Sequence, residues 1–314
     1  MRTPATEPDA TGSARVDVSG RRLAWQRRRR SLGDVWRVFR HSPMGVTGLV
    51  TLLVFVVIAV AAPLLADPSS IDPTETITTN PLNAAPSSEF WLGTDDVGRP
   101  VVSLLIWGAR ISLLVGLTAT VGTMLIGSIV GLAGGFAGGR LDGVLNALTN
   151  WFLVIPWIAL AAVMATILGA SVANIILVIA VTSWAGTARL VRAQTLTVRE
   201  RPYVERARAL GAGSWHLVTR HVFPNVFPVI FANTILTVAL AILSETTLSL
   251  LGLGDPRSVS WGQTIGEAFD AGALTAGQWW WLLPPGVCVM LVCLAFTMCG
   301  YALDEIVNPK LRRR

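Results

Sequence analysis

Apolar residues run along this chain in long blocks. Six of them, at about 44–66, 104–134, 144–168, 172–190, 226–251 and 283–303, are long enough to cross a membrane as helices. At 1.5 Å per helical residue, about 20 residues span roughly 30 Å of hydrocarbon. The second block exceeds that need, so its first turns, Ser103 to Ser112 with Arg110, are expected at the membrane interface. The pattern reads as an all-α membrane protein with six transmembrane helices. It divides into a polar tail at 1–40, a first transmembrane helix at 41–66, a loop at 67–102, a core of five further helices at 103–305 and a short tail at 306–314.

Composition agrees with the pattern. Of 314 residues, 52% are hydrophobic and only 14% charged, too few charges to clothe a soluble domain of this size. Arg21, Arg22 and Arg27 to Arg30 lie in the leading tail, where no hydrophobic period is sustained and disorder is expected. A basic block directly before a span sets topology and touches anionic lipid heads, so membrane lipid, and no nucleic acid, is the expected partner of this tail. The A-x-A formed by Ala59 and Ala61 resembles a cleavage site, but the forty-residue polar lead favours an uncleaved anchor.

The arginines also orient the chain. With the six spans drawn, every basic residue except Arg99, Arg110 and Arg257 falls on one side. Both termini are therefore expected in the cytoplasm, with the stretches near 67–102 and 252–282 outside. Trp261 and the run Trp279, Trp280, Trp281 in the second outer stretch fit an aromatic belt at the lipid headgroups.

Candidate chemistry is sparse. Cys288, Cys293 and Cys299 are spaced by five and six and read as small apolar fillers. Of the histidines His41, His216 and His221, the only near pair is five apart, which on an α-helix does not share a face, so no metal site is expected. Lys310 is the only lysine and has no glycine-rich loop before it, which excludes a P-loop: ATP, if used, must be bound by another chain. No cluster of catalytic groups marks a membrane enzyme. A secondary transporter stays open on the residues alone.

Three segments stand out. Gly127, Gly131, Gly135 and Gly139 recur every fourth residue and form a flat stripe for helix packing, within the chain or against a partner. Glu245, flanked by Ser244, Thr246 and Thr247, is the carboxylate inside a span, read either as a pathway or gating residue or as a hydrogen-bond node with those hydroxyls. The inner segment 189–224 reads as two short helices. The first, about Tyr203 to Leu210, puts Val204, Ala207 and Leu210 on one side and stops at Gly211; the second starts with Ser214 as N-cap and ends before Pro224. From periodicity, such a helix either docks in a groove of another protein or lies on lipid.

The stretch Tyr203-Val204-Glu205-Arg206-Ala207-Arg208-Ala209-Leu210-Gly211-Ala212, followed by Arg220-His221-Val222-Phe223-Pro224-Asn225, resembles the E-A-A-x-x-x-G loop of ABC-importer permeases, above all the dipeptide, oligopeptide and nickel group. Leu92-Gly93-Thr94-Asp95, Gly98-Arg99, Gly108 to Ser112, Ala188 to Arg192, Leu248-Ser249 and Trp261-Gly262 extend the likeness from about Ser42 to the C-terminus, in the manner of the second permease of such systems. Arg206 replaces the pattern's first alanine, and Pro100 stands where an acid is common. The resemblance implies an ABC type I importer-like transmembrane domain in a bacterial cytoplasmic membrane, with no catalysis of its own. It implies a second homologous permease sharing the path for peptides or a similar solute, and an extracytoplasmic substrate-binding protein. It further implies two cytosolic ATPase subunits, which bind ATP and Mg and are coupled through Tyr203 to Ala212. No cofactor is expected on this chain.

Overall fold

The computed structural model describes residues 39–307. The basic tails read at 1–40 and 306–314 lie outside that range except for their innermost two positions. Helix α1, Pro43–Leu65, starts where the Ser42 hydroxyl accepts the Gly45 amide, with Pro43 in the first turn. Asp67 caps a 3₁₀ turn, Pro68–Ile71, and Asp72 caps α2, Pro73–Thr79, each carboxylate accepting an amide at 2.9 Å. These hydrogen bonds hold both exposed carboxyls below the usual aspartate value.

The next helix, α3, runs unbroken from Val101–Ala137. It lies against α6, Val172–Arg199, with both chains running the same way. Glycine makes that approach possible. A Cβ on Gly131 would meet the Ala188 carbonyl at 2.6 Å, and one on Gly127 or Gly135 would strike Thr187 or Thr195. The stripe is thus an internal seam of three residues. A Cβ on Gly139, read as its fourth member, would meet no atom of the described residues within 4 Å; with Gly138 it makes a left-handed turn (φ 69° and 58°) out of α3.

The expected span at 144–168 is two helices. α4, Gly139–Val154, and α5, Trp157–Leu168, meet at 91°. Pro156 explains the break, since it has no amide for the Phe152 carbonyl and forces Ile155 into an extended conformation (ψ 130°). Hydropathy summed along the segment passes over that single residue.

Past the fourth apolar block α6 continues as a helix to Arg199, so the first eleven residues of the segment at 189–224 belong to it. Then come α7, Pro202–Ala209, and α8, Ser214–Leu217. Gly213, and not Ser214, occupies the N-cap position. The helical stretch that begins with α8 does not end before Pro224. It passes through a π-turn, Val218–Val222, into α9, Phe223–Leu250. The Phe223 amide reaches back five residues to the Val218 carbonyl, and the wider ladder admits Pro224 in the first turn of α9.

At the opposite end from α7 lie α10, Trp261–Asp270, capped by Ser260, and the start of α11, Trp279–Val307. The aromatic belt reading fails for most of its tryptophans. Trp261 is fully buried, its amide on the Ser112 hydroxyl, its indole N–H on the Leu105 carbonyl and its ring edge-on to Phe55. Trp281 is also fully buried, packed with Val101, Ala268 and Ala273, and Trp280 lies over Gly93 with its N–H toward the Thr94 carbonyl. Only Trp279 of the run is open, at 54% exposure. The glycines at 93 and 108 admit these rings, a long-range fit that a local aromatic count does not reveal.

Candidate functional site

The arginine-rich end is built around α7. Gly211, at φ +85°, closes the helix: its amide donates to the Arg208 carbonyl and the Ala212 amide to that of Ala207, both at 3.0 Å. Val204 is buried and Ala207 half-buried, whereas Tyr203, Glu205, Arg206, Arg208, Ala209 and Gly211 are exposed and Ala212 is half-buried. Leu210 does not share the buried side with Val204. It sits in the cap, past the last helical turn, and is 88% exposed; Trp215 beside it is 79% exposed. Ala207, Leu210, Gly211, Ala212, Gly213 and His216 line a shallow groove between them. An exposed leucine thus lines an open groove at the end of a helix rich in charge, and an exposed tryptophan follows in α8.

The π-turn changes the geometry of the histidines. Residues five apart fall on one face where a turn takes more than four residues, and His216 and His221 stand edge-to-face with ring centroids 5.7 Å apart. Tyr203 lies 6.2 Å beyond His221, tying α7 to the turn.

This end is fastened to the bundle by arginines. Arg192 grips the Asp142 carboxylate with two hydrogen bonds of 2.6 and 2.7 Å, joining α6 to α4. Arg199 donates to the Gly135 and Phe136 carbonyls at 3.2 and 3.1 Å, covering the end of α3, and Arg189 reaches Asn150.

Halfway along α3, α6 and α9 a partly open cavity of about 830 Å³ reaches the break between α4 and α5. Its wall includes the whole break, Phe152 to Trp157, with Thr123, Thr182, Ser183, Asn233, Thr237 and Ser244, and among the described residues no charged side chain. Glu245 is not in that wall. It is 2% exposed, and one carboxylate oxygen accepts from Ser249 at 2.9 Å and Ser260 at 2.6 Å. The flanking hydroxyls of Ser244, Thr246 and Thr247 instead bond carbonyls one turn back in α9. Glu245 thus joins α9 to the N-cap of α10, a partnership fifteen residues long that its immediate neighbours do not announce.

Nearby, Arg99 bridges Asp95 and Glu267, tying the first outer stretch to α10; the Arg99 amide also donates to Asp95 at 2.7 Å. Burial pushes the Asp95 and Asp96 carboxyls above the usual aspartate value, against the pull of Arg99. The i, i+4 spacing of Asp95 and Arg99 was a usable signal; the arrival of Glu267 from 168 residues away was not. Pro100 occupies the N-cap position of α3, and its carbonyl accepts the Leu104 amide at 3.2 Å.

Comparison with known proteins comes out in one direction. Residues 123–313 match the family model of binding-protein-dependent transport system inner membrane components, and residues 31–86 that of the N-terminal TM domain of oligopeptide transport permease C. The chain is 34% identical over 281 residues to the dipeptide transport system permease protein DppC of Bacillus subtilis, covering 89% of this chain and 86% of that protein. It is 33% identical to the probable D,D-dipeptide transport system permease protein DdpC of Escherichia coli, covering 88% and 90%. Among solved structures, an inward-facing form of the MetNI methionine ABC transporter superposes with a TM-score of 0.54 at 21% identity, covering 68% of this chain and 99% of that one, a likeness of fold.

Proposed function

The chain belongs to the family of binding-protein-dependent transport system inner membrane components, and on that premise we propose that it carries short peptides inward and is driven by separate ATPase subunits docked at α7. It is a multi-pass permease subunit of an ABC importer. Peptide as the solute is supported by the dipeptide permeases it resembles over most of its length. A second, homologous permease supplies the other wall of the path, and an extracytoplasmic binding protein delivers solute to the end that carries α2 and α10. Both termini and α7 then face the cytoplasm, in keeping with the arginines gathered there.

The observation that carries this reading is the open groove at Gly211, lined in part by the exposed Leu210, with a second exposed apolar side chain, Trp215, next in sequence to its lining residue His216. Apolar groups displayed beside the charges of Glu205, Arg206 and Arg208 suit a socket on a soluble partner. ATP and Mg belong to that partner, because this chain's single lysine, Lys310, has no phosphate-binding loop around it. Closure of the ATPases pushes on Tyr203 to Ala212, and α6 and α9, which flank this segment in sequence, move with it as rigid bodies. Arg206 stands on the exposed side, where it alters the fit to the partner without entering this chain's core.

The test is affinity purification of tagged chain from native membranes, with ATP hydrolysis assayed on the product. The unaltered chain should bring down a second permease and ATPase subunits. Glu205→Arg and Gly211→Asp should lose the ATPase while remaining inserted. Recovery of the chain alone, without ATPase activity, would move the assignment to a secondary transporter.

A further inference from the structure

The break between α4 and α5 lies at the depth of the bundle's middle, where lipid offers backbone groups no hydrogen-bond partner. Pro156 leaves the Phe152 carbonyl without its helical donor, and no side chain caps the first turn of α5. Irregular backbone at that depth persists when it is enclosed by protein or lines a water-filled space. Here every residue from Phe152 to Trp157 borders the cavity of about 830 Å³. Two further groups there lack partners among the described residues: the Thr123 hydroxyl and the Trp157 indole N–H are both buried and unbonded.

The remaining polar wall has a definite sense. Thr182, Thr237 and Ser244 each give their one hydroxyl proton to a carbonyl in their own helix, at 2.8 Å in all three, so toward the cavity they can only accept; Thr237 spends one lone pair on the Asn233 amide at 3.4 Å and keeps the other. Trp157 can only donate, and the Asn233 amide does both. Among the described residues no wall residue is charged, and the volume falls in the range of small-molecule sites, roughly 300–1,000 Å³.

We infer that this cavity is the wetted solute path of the subunit, and that its wall holds the solute by hydrogen bonds to amide groups and not by charge. The inference rests on the permease reading and adds where solute passes and what part of it is recognised. A peptide backbone offers N–H and C=O in every residue, so an uncharged wall of acceptors with a few donors takes peptides irrespective of their side chains. A charged wall would sort them.

The experiment uses the assembled importer in vesicles, in a background with Cys288, Cys293 and Cys299 replaced by alanine. Ser183→Cys and Thr237→Cys should react with a water-soluble methanethiosulfonate and be protected by a transported dipeptide, while Val60→Cys, outward-facing on α1, should stay unlabelled. Separately, neutral, cationic and anionic dipeptides should be taken up within about tenfold of one another, roughly 1.4 kcal/mol. Asn233→Asp should then favour the cationic over the anionic peptide by at least that factor. Failure of both cysteines to label in a complex that still hydrolyses ATP and imports peptide would overturn the path and leave the permease reading intact. Labelling with no change of selectivity in Asn233→Asp would overturn recognition by this wall. Absence of any co-purifying ATPase would overturn both readings together.

Discussion

Arg192 and Asp142 meet through two parallel hydrogen bonds across fifty residues of sequence, and so fix α6 to the beginning of α4. The pair is part-buried, with the Arg192 side chain 30% exposed and Asp142 18%. Its coupling energy should be about 1 kcal/mol, at the upper end of exposed pairs because the contact is bidentate. A double-mutant cycle with Arg192→Ala and Asp142→Ala, read as thermal stability in detergent, measures it. Additive losses would show that the two residues act independently.

Gly131 and Gly139 should respond in opposite fashion to bulk. Gly131→Leu drives a side chain into the Ala188 carbonyl, which as backbone cannot yield, and should cost upward of about 3 kcal/mol by parting α3 from α6. Gly139→Ala meets no atom and should cost only about 1 kcal/mol, from its positive φ. Size-exclusion profiles and thermal stability of the two variants separate these outcomes.

Truncation should distinguish the tryptophans likewise. Trp281→Ala leaves a cavity among Val101, Ala268 and Ala273 and should destabilise the protein by about 3–5 kcal/mol. Trp279→Ala should shift stability by less than about 0.5 kcal/mol, as for an open surface position. Thermal denaturation followed by tryptophan fluorescence provides the comparison.

Removing the Arg99 side chain strands Asp95 in a buried site, and Arg99→Ala should cost about 3–5 kcal/mol. Arg99→Ala with Asp95→Asn should recover part of that loss, because the amide carries no charge to desolvate. Limited proteolysis of the stretch at 67–100 in right-side-out vesicles reports the loosening. Equal resistance in all three proteins would mean that other contacts hold the stretch.

Much of this fold was legible because lipid imposes a crude rule: long apolar blocks such as Pro43–Leu65 become helices whatever their partners. Periodicity and Gly211 marked the α7 segment as a short helix, and family likeness chose partner docking over lipid for it. What escaped depended on single atoms or on distant sequence. One missing amide at Pro156 bends a span through 91°. One extra residue per turn at Val218–Val222 brings His216 to His221, and a glycine 153 positions before Trp261 is what lets that ring lie flush. The cavity wall drew no notice as such in the sequence, where Ser244 and Thr247 counted only as neighbours of Glu245 and isolated Ser, Thr and Asn are ordinary in membrane helices. Only their assembly from α3, α6 and α9 gives them a common address.

The π-turn also sets the mechanics of the molecule. Because it splices α8 to α9 without a gap, Ser214–Leu250 form one rod of 37 residues, about 55 Å long, with the histidine pair near one tip and the Glu245 carboxylate near the other. Pivoted at its middle, such a rod tilted by about 5° carries each tip sideways by roughly 2–3 Å, comparable to a hydrogen-bond length. A push too small to unfold anything at one surface of the membrane is therefore long enough, at the other, to pull Glu245 out of reach of Ser260.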